Sequence, residues 1–167
     1  MKRLTVIDQA QENINKLSDK VVELGDVLDN KQTRGLMGEV QLEHIIQNIM
    51  PKRSYQMQHT LKNAHRVDCI LFLPPPTENL AIDAKFPLEY YAKMQQHKPD
   101  QAEHKKYQTL FKQSIKKHIK DIATKYIQPP ETAEGAIMFI PSESIFACIH
   151  NSYPELVELA HQQKVWI

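Results

Sequence analysis

Cysteine is scarce in this sequence. The chain of 167 residues has only two, Cys69 and Cys148, and neither belongs to a spacing that binds metal. One pair of cysteines cannot form the disulfide framework of a small secreted protein, so a reducing compartment is favoured and we expect a cytoplasmic location. We interpret both thiols as small apolar side chains of the core.

Long apolar runs and an excess of one charge are missing too. No run approaches the ~18 apolar residues that span a bilayer, and no signal peptide is visible, so we expect no membrane contact from this piece of chain. The formal net charge is +1, so any nucleic-acid-binding surface must be local. The eight histidines show no paired metal spacing, and nothing suggests a serine or cysteine nucleophile. The apolar end at residues 164–167 leads us to expect a longer protein, truncated at both ends.

The first thirty residues carry a heptad pattern. Apolar side chains recur at alternating spacings of three and four, at Ile7, Ala10, Ile14, Leu17, Val21, Leu24 and Leu28. This pattern predicts a coiled-coil-like helix over residues 1–30 with one narrow apolar seam. Its partner is a second copy of the chain, which would give a homo-oligomer, or upstream sequence, or the domain that follows. The pattern leaves these alternatives open.

Residues 31–167 are typical of one α/β domain. In chain order they predict a helix over 33–50, strands over 55–62, 66–74 and 80–86, a basic helix over 89–127 in one or two pieces, a buried strand over 135–141, helices over 142–150 and 154–162, and a strand from 165. The order is therefore helix, three strands, helix, strand, with the heptad segment before it and helices after it.

The helix over 33–50 has an apolar stripe that also contains an acid. The stripe comprises Leu42, Ile45, Ile46, Ile49 and Met50, with Gly38 and Glu39 inside it and Glu43 at its edge. A carboxylate on a buried stripe is unfavourable unless it is paired or bound to metal. Glu39 is therefore a candidate site residue, and Gly38 would permit close approach of the helix to its neighbour.

The two strands at 66–74 and 80–86 place three charged residues together. Asp83 and Lys85, two residues apart, share a face, because side chains alternate along a strand. With a turn centred between Pro76 and Thr77, Asp68 would lie opposite Lys85 and diagonal to Asp83 on that same face.

Two carboxylates this close repel each other unless a cation lies between them. Hard oxygen ligands favour Mg²⁺ or Mn²⁺, and a nearby lysine can stabilise developing negative charge on a phosphodiester. The alternative is an ordinary solvated face, since an aspartate and a lysine two apart on a strand are common.

The basic helix adds a candidate phosphate track. Between His104 and Tyr126 there are seven lysines and one acid. One face carries Lys105, Lys112, Lys116 and Lys120, with Lys106 and Lys117 beside it; the opposite, buried face carries Phe111, Ile115, Ile119, Ile122 and Tyr126. A lysine stripe can bind DNA phosphates without sequence preference, although many such stripes are only solvated faces. Further candidates for lining the site are Glu43, Ser114, His118, Asp121, Lys125 and Glu143.

Four motifs together resemble one family. The sequence RGLMGEVQLE at 34–43, RVD at 66–68, IDAK at 82–85 and MFIPSE at 138–143 resembles the RmuC family of bacterial DNA recombination proteins over about residues 30–167. The resemblance implies the restriction-endonuclease-like αβββαβ core, with a mixed sheet, of the PD-(D/E)XK nuclease superfamily. It also implies that the full-length protein is tethered to the inner membrane.

The resemblance implies a role for four residues. Asp68 and Asp83 match the two metal-binding acids, Lys85 the lysine, and Glu39 the helix acid that completes a Mg²⁺ or Mn²⁺ site. The implied function is a metal-dependent DNA endonuclease or exonuclease acting on recombination or repair intermediates. The alternative is a DNA-binding or scaffold module of the same fold that does not cut.

Overall fold

The computed structural model describes residues 30–167. The heptad positions from Ile7 to Leu28 lie outside this range, so the coiled-coil-like helix and the domain boundary at residue 30 stay predictions. Of the helices between residues 30 and 167, none combines the length and apolar content needed to cross a bilayer.

The described residues form a five-stranded mixed sheet with helices on both faces. The elements are α1 (Lys31–Ile49), a short 3-10 turn (Lys52–Ser54), β1 (Tyr55–Thr60), β2 (Arg66–Leu71), β3 (Leu80–Ala84), α2 (Leu88–Gln95), α3 (Ala102–Tyr126), β4 (Ala136–Phe139), α4 (Glu143–Ser152), α5 (Pro154–Gln162) and β5 (Val165–Trp166). The predicted α/β class and element order are confirmed. The basic helix is two helices, α2 and α3.

The sheet changes direction at its centre. Its order is β1-β2-β3-β4-β5, with antiparallel pairs up to β3 and parallel pairs from β3 onwards. Short loops join the antiparallel strands, whereas the parallel step from β3 to β4 runs through α2 and α3, as a parallel crossover requires. The central strands are therefore covered on both faces.

Helix α3 supplies the main core. Its five buried residues are Phe111, Ile115, Ile119, Ile122 and Tyr126, the face that the sequence predicts. They pack against β2, β3 and β4 through side chains such as Ile70, Ala81 and Met138. A second, smaller core under α1 joins Leu42 and Ile46 to the opposite face of the sheet.

Helix α1 buries a narrower row than predicted. Asn30 caps it by accepting a hydrogen bond from the backbone N–H of Gln32 at 2.9 Å. The buried residues are Arg34, Gly38, Leu42 and Ile46. The prediction that Ile45 and Ile49 belong to the buried stripe is wrong: they are 44% and 68% exposed. Only one row of residues, at four-residue spacing, touches the sheet. A residue one position before a member of this row is rotated about 100° away from the sheet around the helix axis.

Gly38 sets the distance between α1 and the sheet. A Cβ at this position would lie 3.4 Å from Pro141 Cγ and 3.6 Å from Ala84 Cβ. The helix therefore lies close against the end of β3, as the glycine predicts, and Glu39 is carried to that same end.

Burial distinguishes two isoleucines that the sequence alone treats alike. Ile119→Ala on α3 is expected to lower the free energy of unfolding by about 2–5 kcal/mol, because it opens a cavity in the core. Ile49→Ala on α1 is the matched control and is expected to change it by at most about 0.5 kcal/mol. Urea denaturation followed by circular dichroism measures both. Equal losses in the two variants would contradict this packing.

Candidate active site

A cleft of about 710 Å³ lies between α1, the end of the β2–β3 hairpin and α3. The charged and polar residues that line it are Lys31, Arg34, Glu39, Asp68, Asp83, Lys85, Glu89, Tyr90, Gln113, Ser114, Lys117, His118, Asp121 and Tyr126. The structure thus brings Glu39, Asp68, Asp83 and Lys85 into one cleft. Their chemical roles stay predictions.

The hairpin places Asp68 directly opposite Asp83. Cys69 pairs with Ile82 and Ile70 with Ala81, and the next step of this register joins the two aspartates. The predicted register, with Asp68 opposite Lys85, is wrong by two residues. A shift of two keeps every side chain on its face, so the shared face survives the error.

The error in the predicted β2–β3 register comes from the position of the turn. The observed register centres the turn between Pro75 and Pro76, one residue earlier than predicted. Beyond Leu71 the chain leaves β3, and the backbone N–H of Phe72 donates to the carbonyl of Ser54 at 2.8 Å. This bond continues the β1–β2 ladder, in which Tyr55 pairs with Leu71, past the end of the β2–β3 pairing.

Asp83 is the most buried acid of the cleft, at 2% exposed. Its Oδ2 atom contacts the ammonium of Lys85. Burial raises the pKa of Asp83, the Lys85 ammonium opposes this rise, and Asp68 adds to it. The backbone N–H of Lys85 donates to the carbonyl of Phe139 at 2.9 Å, which fixes the lysine at the end of β3.

Asp68 is held by the backbone of the neighbouring strand. Its Oδ2 accepts a hydrogen bond from the backbone N–H of Ala84 at 2.8 Å. Burial raises the pKa of Asp68; the Ala84 bond opposes this rise, and the charge of Glu39 adds to it. The two facing aspartates therefore both resist ionisation, as expected of like charges in a poorly hydrated site.

Gln58 connects the helix acid to the hairpin. Its Nε2 donates to Glu39 Oε2 at 3.0 Å and lies 3.5 Å from Asp68 Oδ1. Sequence reasoning missed this residue. It sits among the polar positions of YQMQHT, but only the β1–β2 register, which no local pattern fixes, brings it opposite Asp68.

The acids are not gathered as a preformed three-ligand set. Across residues 30–167, no group of three His, Cys, Asp or Glu side chains is arranged to hold a metal ion. The amide of Gln58 lies where Glu39 and Asp68 approach each other.

Helix α3 closes the cleft with a narrow polar edge. Ser114, His118 and Asp121 line it as predicted, but Lys125 does not. Burial lowers the pKa of His118 to about 4, and the Lys85 charge contributes. Burial raises the pKa of Tyr126, whose hydroxyl donates to the carbonyl of Arg66 at 3.2 Å. The histidine is thus neutral and the phenol protonated near neutral pH.

The predicted lysine stripe lies away from the cleft. Lys105, Lys112, Lys116 and Lys120 are not among its lining residues. Lys112 instead pairs with Glu155 and lies over the ring of Tyr153. The stripe faces outward because it lies opposite the buried face of α3. Its role in binding DNA stays a prediction.

The cations of the cleft are a different set: Lys31, Arg34, Lys85 and Lys117. Arg34, which sequence reasoning also missed as a site residue, is 6% exposed. Its Nη2 lies 3.6 Å from Glu89 Oε2, so an ion pair joins α1 to α2 at the edge of the cleft.

Two further candidates are placed elsewhere. Glu43 Oε1 accepts a hydrogen bond from Gln47 Nε2 at 2.9 Å and does not line the cleft. It follows Glu39 by four residues, so the helix carries it about 6 Å further along. Glu143 lines a separate, smaller groove beside Ile45, Phe139 and Phe146.

With this geometry in place, comparison with known proteins decides the family. The profile of the RmuC family matches residues 1–167. The chain belongs to the RmuC family. The resemblance seen in the sequence motifs is thereby confirmed.

Relatives within the RmuC family carry the name "DNA recombination protein RmuC homolog". The Xylella fastidiosa (strain Temecula1) protein is 29% identical over 153 residues, which cover 84% of this chain and 34% of that protein. The Chlamydia pneumoniae protein is 31% identical over 157 residues, covering 90% and 36%. The chain thus spans about a third of the length of these relatives. No solved structure matched the chain.

The motifs that suggested the RmuC family divide between two places. Arg34, Glu39, Asp68, Asp83 and Lys85, from the first three motifs, line the cleft. The last motif, at 138–143, contributes mainly to the smaller groove.

The half-buried, neutral His118 predicts a pH dependence of stability. Between pH 6.5 and about 4 the unfolded chain takes up a proton at this imidazole that the folded chain refuses, so stability falls as the pH falls through this window. From pH 7 to pH 5 this proton uptake lowers the free energy of unfolding by about 1–2 kcal/mol. His118→Gln should remove it. Urea denaturation of both proteins at the two pH values measures the difference, and identical pH slopes would contradict a neutral, half-buried His118.

Proposed function

We propose that the chain is the nuclease domain of a DNA recombination protein, which uses Mg²⁺ or Mn²⁺ to hydrolyse phosphodiester bonds in recombination or repair intermediates. The observation that carries the proposal is the pair of half-buried Asp68 and buried Asp83 on facing strands, with Lys85 and Glu39 in the same cleft. The name of the RmuC relatives, DNA recombination protein, supports DNA as the substrate.

The proposal includes the restriction-endonuclease-like core of the PD-(D/E)XK superfamily. A helix, three antiparallel strands, a helical crossover and a parallel strand follow one another, which is the αβββαβ order with α2 added. Asp68 lies on the second strand and Asp83 on the third, and Lys85 follows the third strand directly. The acids and the lysine thus lie at the edge of the sheet where β2 begins and β3 ends.

The donor set fits a hard divalent cation. Glu39, Asp68 and Asp83 are the residues that would hold it, and carboxylate oxygens are the ligands that Mg²⁺ and Mn²⁺ prefer. Burial raises the pKa of both aspartates, so a cation that binds their ionised forms would relieve an unfavourable arrangement. When bound, it supplies Lewis acidity to a phosphoryl oxygen and lowers the pKa of bound water.

The chain's own groups supply the remaining functions. The Lys85 ammonium, held at the end of β3, can orient the attacking water and stabilise negative charge developing on the phosphate. Lys31, Arg34 and Lys117 on the two helical walls present positive charge to the flanking phosphates. The neutral His118 beside Lys85 and the protonated Tyr126 beside Asp83 add polar groups without further charge.

Removing one site group is expected to slow DNA cleavage strongly. Asp83→Asn and Lys85→Met should each lower the rate of Mn²⁺- or Mg²⁺-dependent cleavage by about 10²-fold or more, because the first removes a ligand of the cation and the second a group that acts on developing charge. Single-stranded, duplex and branched DNA are the substrates. Glu143→Gln, outside the cleft, is the matched acid control and should cut at the wild-type rate. Wild-type protein that cuts none of these substrates with either metal would contradict the proposal.

A second candidate function is a DNA-binding or scaffold module that does not cut. The observation in its favour is that the amide of Gln58 lies between Glu39 and Asp68, so the described acids are not gathered as a three-ligand group. This candidate expects salt-dependent DNA binding that Asp83→Asn leaves unchanged, with no cleavage by the wild type.

DNA binding should depend on the cleft rather than on the outer stripe of α3. Lys117→Ala, on the cleft wall, should weaken DNA binding and reduce the salt dependence by about one phosphate contact. Lys105→Ala, on the exposed stripe of the same helix, should change neither. Fluorescence anisotropy without divalent cation measures both as a function of salt. The reverse result would assign the phosphate track to the stripe.

A further inference from the structure

Gln58 has a backbone conformation that a glutamine in a strand rarely adopts. Its φ is 52°, in the left-handed region, which is unfavourable for a residue with a side chain. The strand pairing is intact on both sides, with Met57 opposite Cys69 and His59 opposite Val67. The strain is therefore confined to one residue, and it is not the result of a slip in register.

The strained residue places its amide between two acids. Nε2 donates to Glu39 Oε2 at 3.0 Å and lies 3.5 Å from Asp68 Oδ1, in a partly buried position. One of these acids belongs to α1 and the other to β2, so the amide joins the two walls of the cleft. Only the nitrogen end of the amide can donate to a carboxylate, which fixes its orientation.

A glutamine amide has a second end. Rotation about its last side-chain bond exchanges Nε2 for Oε1, and a carbonyl oxygen is a ligand for Mg²⁺ or Mn²⁺. The amide nitrogen offers the two carboxylates a partial positive charge, which a bound divalent cation would replace with a full one. With the cation bound, donation from the amide nitrogen to the two carboxylates is no longer favoured, and the amide oxygen is the atom that the cation attracts.

We propose that Gln58 is an exchangeable member of the cation site: its amide nitrogen holds Glu39 and Asp68 together without a cation, and its amide oxygen becomes a ligand when Mg²⁺ or Mn²⁺ binds. This inference rests on the proposed function, because it assumes that these acids bind the cation. The strain at residue 58 is then the means by which the strand aims the amide into the site.

Metal affinity of the whole chain tests this inference directly. Isothermal titration calorimetry with Mn²⁺ is expected to show a weakening of about 10-fold or more in Gln58→Leu, because both the ligand oxygen and the orienting bonds are lost. Gln58→Glu replaces the amide with a hard anionic ligand and should bind Mn²⁺ at least as tightly as the wild type. Gln56→Leu removes an exposed glutamine of the same strand and should match the wild type.

Thermal unfolding adds a readout that a merely structural role would not move. Without cation, Gln58→Glu brings three carboxylates together and should melt below the wild type; adding Mn²⁺ should raise its melting temperature by more than that of the wild type. A bridging role alone predicts that both variants melt lower and that Mn²⁺ raises every melting temperature equally. If Gln58→Leu does not fold, the Gln58→Glu comparison still decides the point.

The outcomes separate this inference from the function on which it rests. If wild-type protein binds no Mn²⁺, the proposed metal-dependent function and the role of Gln58 both fail. If the wild type binds Mn²⁺ and Asp83→Asn abolishes binding, but Gln58→Leu binds as tightly as the wild type, only the inference fails. Tighter binding by Gln58→Leu would also overturn it, since Gln58 would then be an obstacle to the cation and not a ligand.

Discussion

Two carboxylates that face each other across adjacent strands, one buried and one half-buried, are the constraint around which this structure is arranged. Asp68 and Asp83 lie on neighbouring strands of the sheet, where burial weakens the screening of their repulsion by water. Each neighbouring group reduces that repulsion: the Lys85 ammonium contacts Asp83, and the backbone N–H of Ala84 donates to Asp68. An arrangement that needs this much compensation is unfavourable for stability, which is common where a site is built for binding or chemistry.

The same helix, α3, serves the core and the site through different faces. Its apolar face, from Phe111 to Tyr126, is buried against the sheet and fixes the helix rigidly. The edge next to that face carries His118 into the cleft, and burial keeps this imidazole neutral beside Lys85. A charged imidazole there would be repelled by the Lys85 ammonium. The packing of α3 against the sheet thus sets the burial of His118, and this burial keeps a group of the cleft uncharged.

Periodicity predicted the elements and the α3 face because both depend on local spacing. It also identified Gly38 and Glu39, since a glycine and an acid on one apolar row leave few explanations. Periodicity did not predict the β2–β3 register, because alternation does not fix where the turn between the two strands is centred. It missed Gln58 because a positive φ in a strand has no sequence signal when the residue is not glycine. The error in the predicted register was two residues, and a shift of two leaves every side chain on its face. The shared face of the two aspartates was therefore predicted correctly although their exact partners were not.

Helix α1 links the acidic and basic parts of the cleft. It carries Glu39 towards Gln58, while Arg34, one turn earlier, forms an ion pair with Glu89 of α2. Gly38 lies between these two residues in sequence and allows the helix to rest on the end of β3. Because one rigid helix holds all three contacts, its seating on the sheet sets the distance from the acids to the cations of the cleft wall. The cleft therefore cannot change its acidic site without also moving the wall that would face DNA.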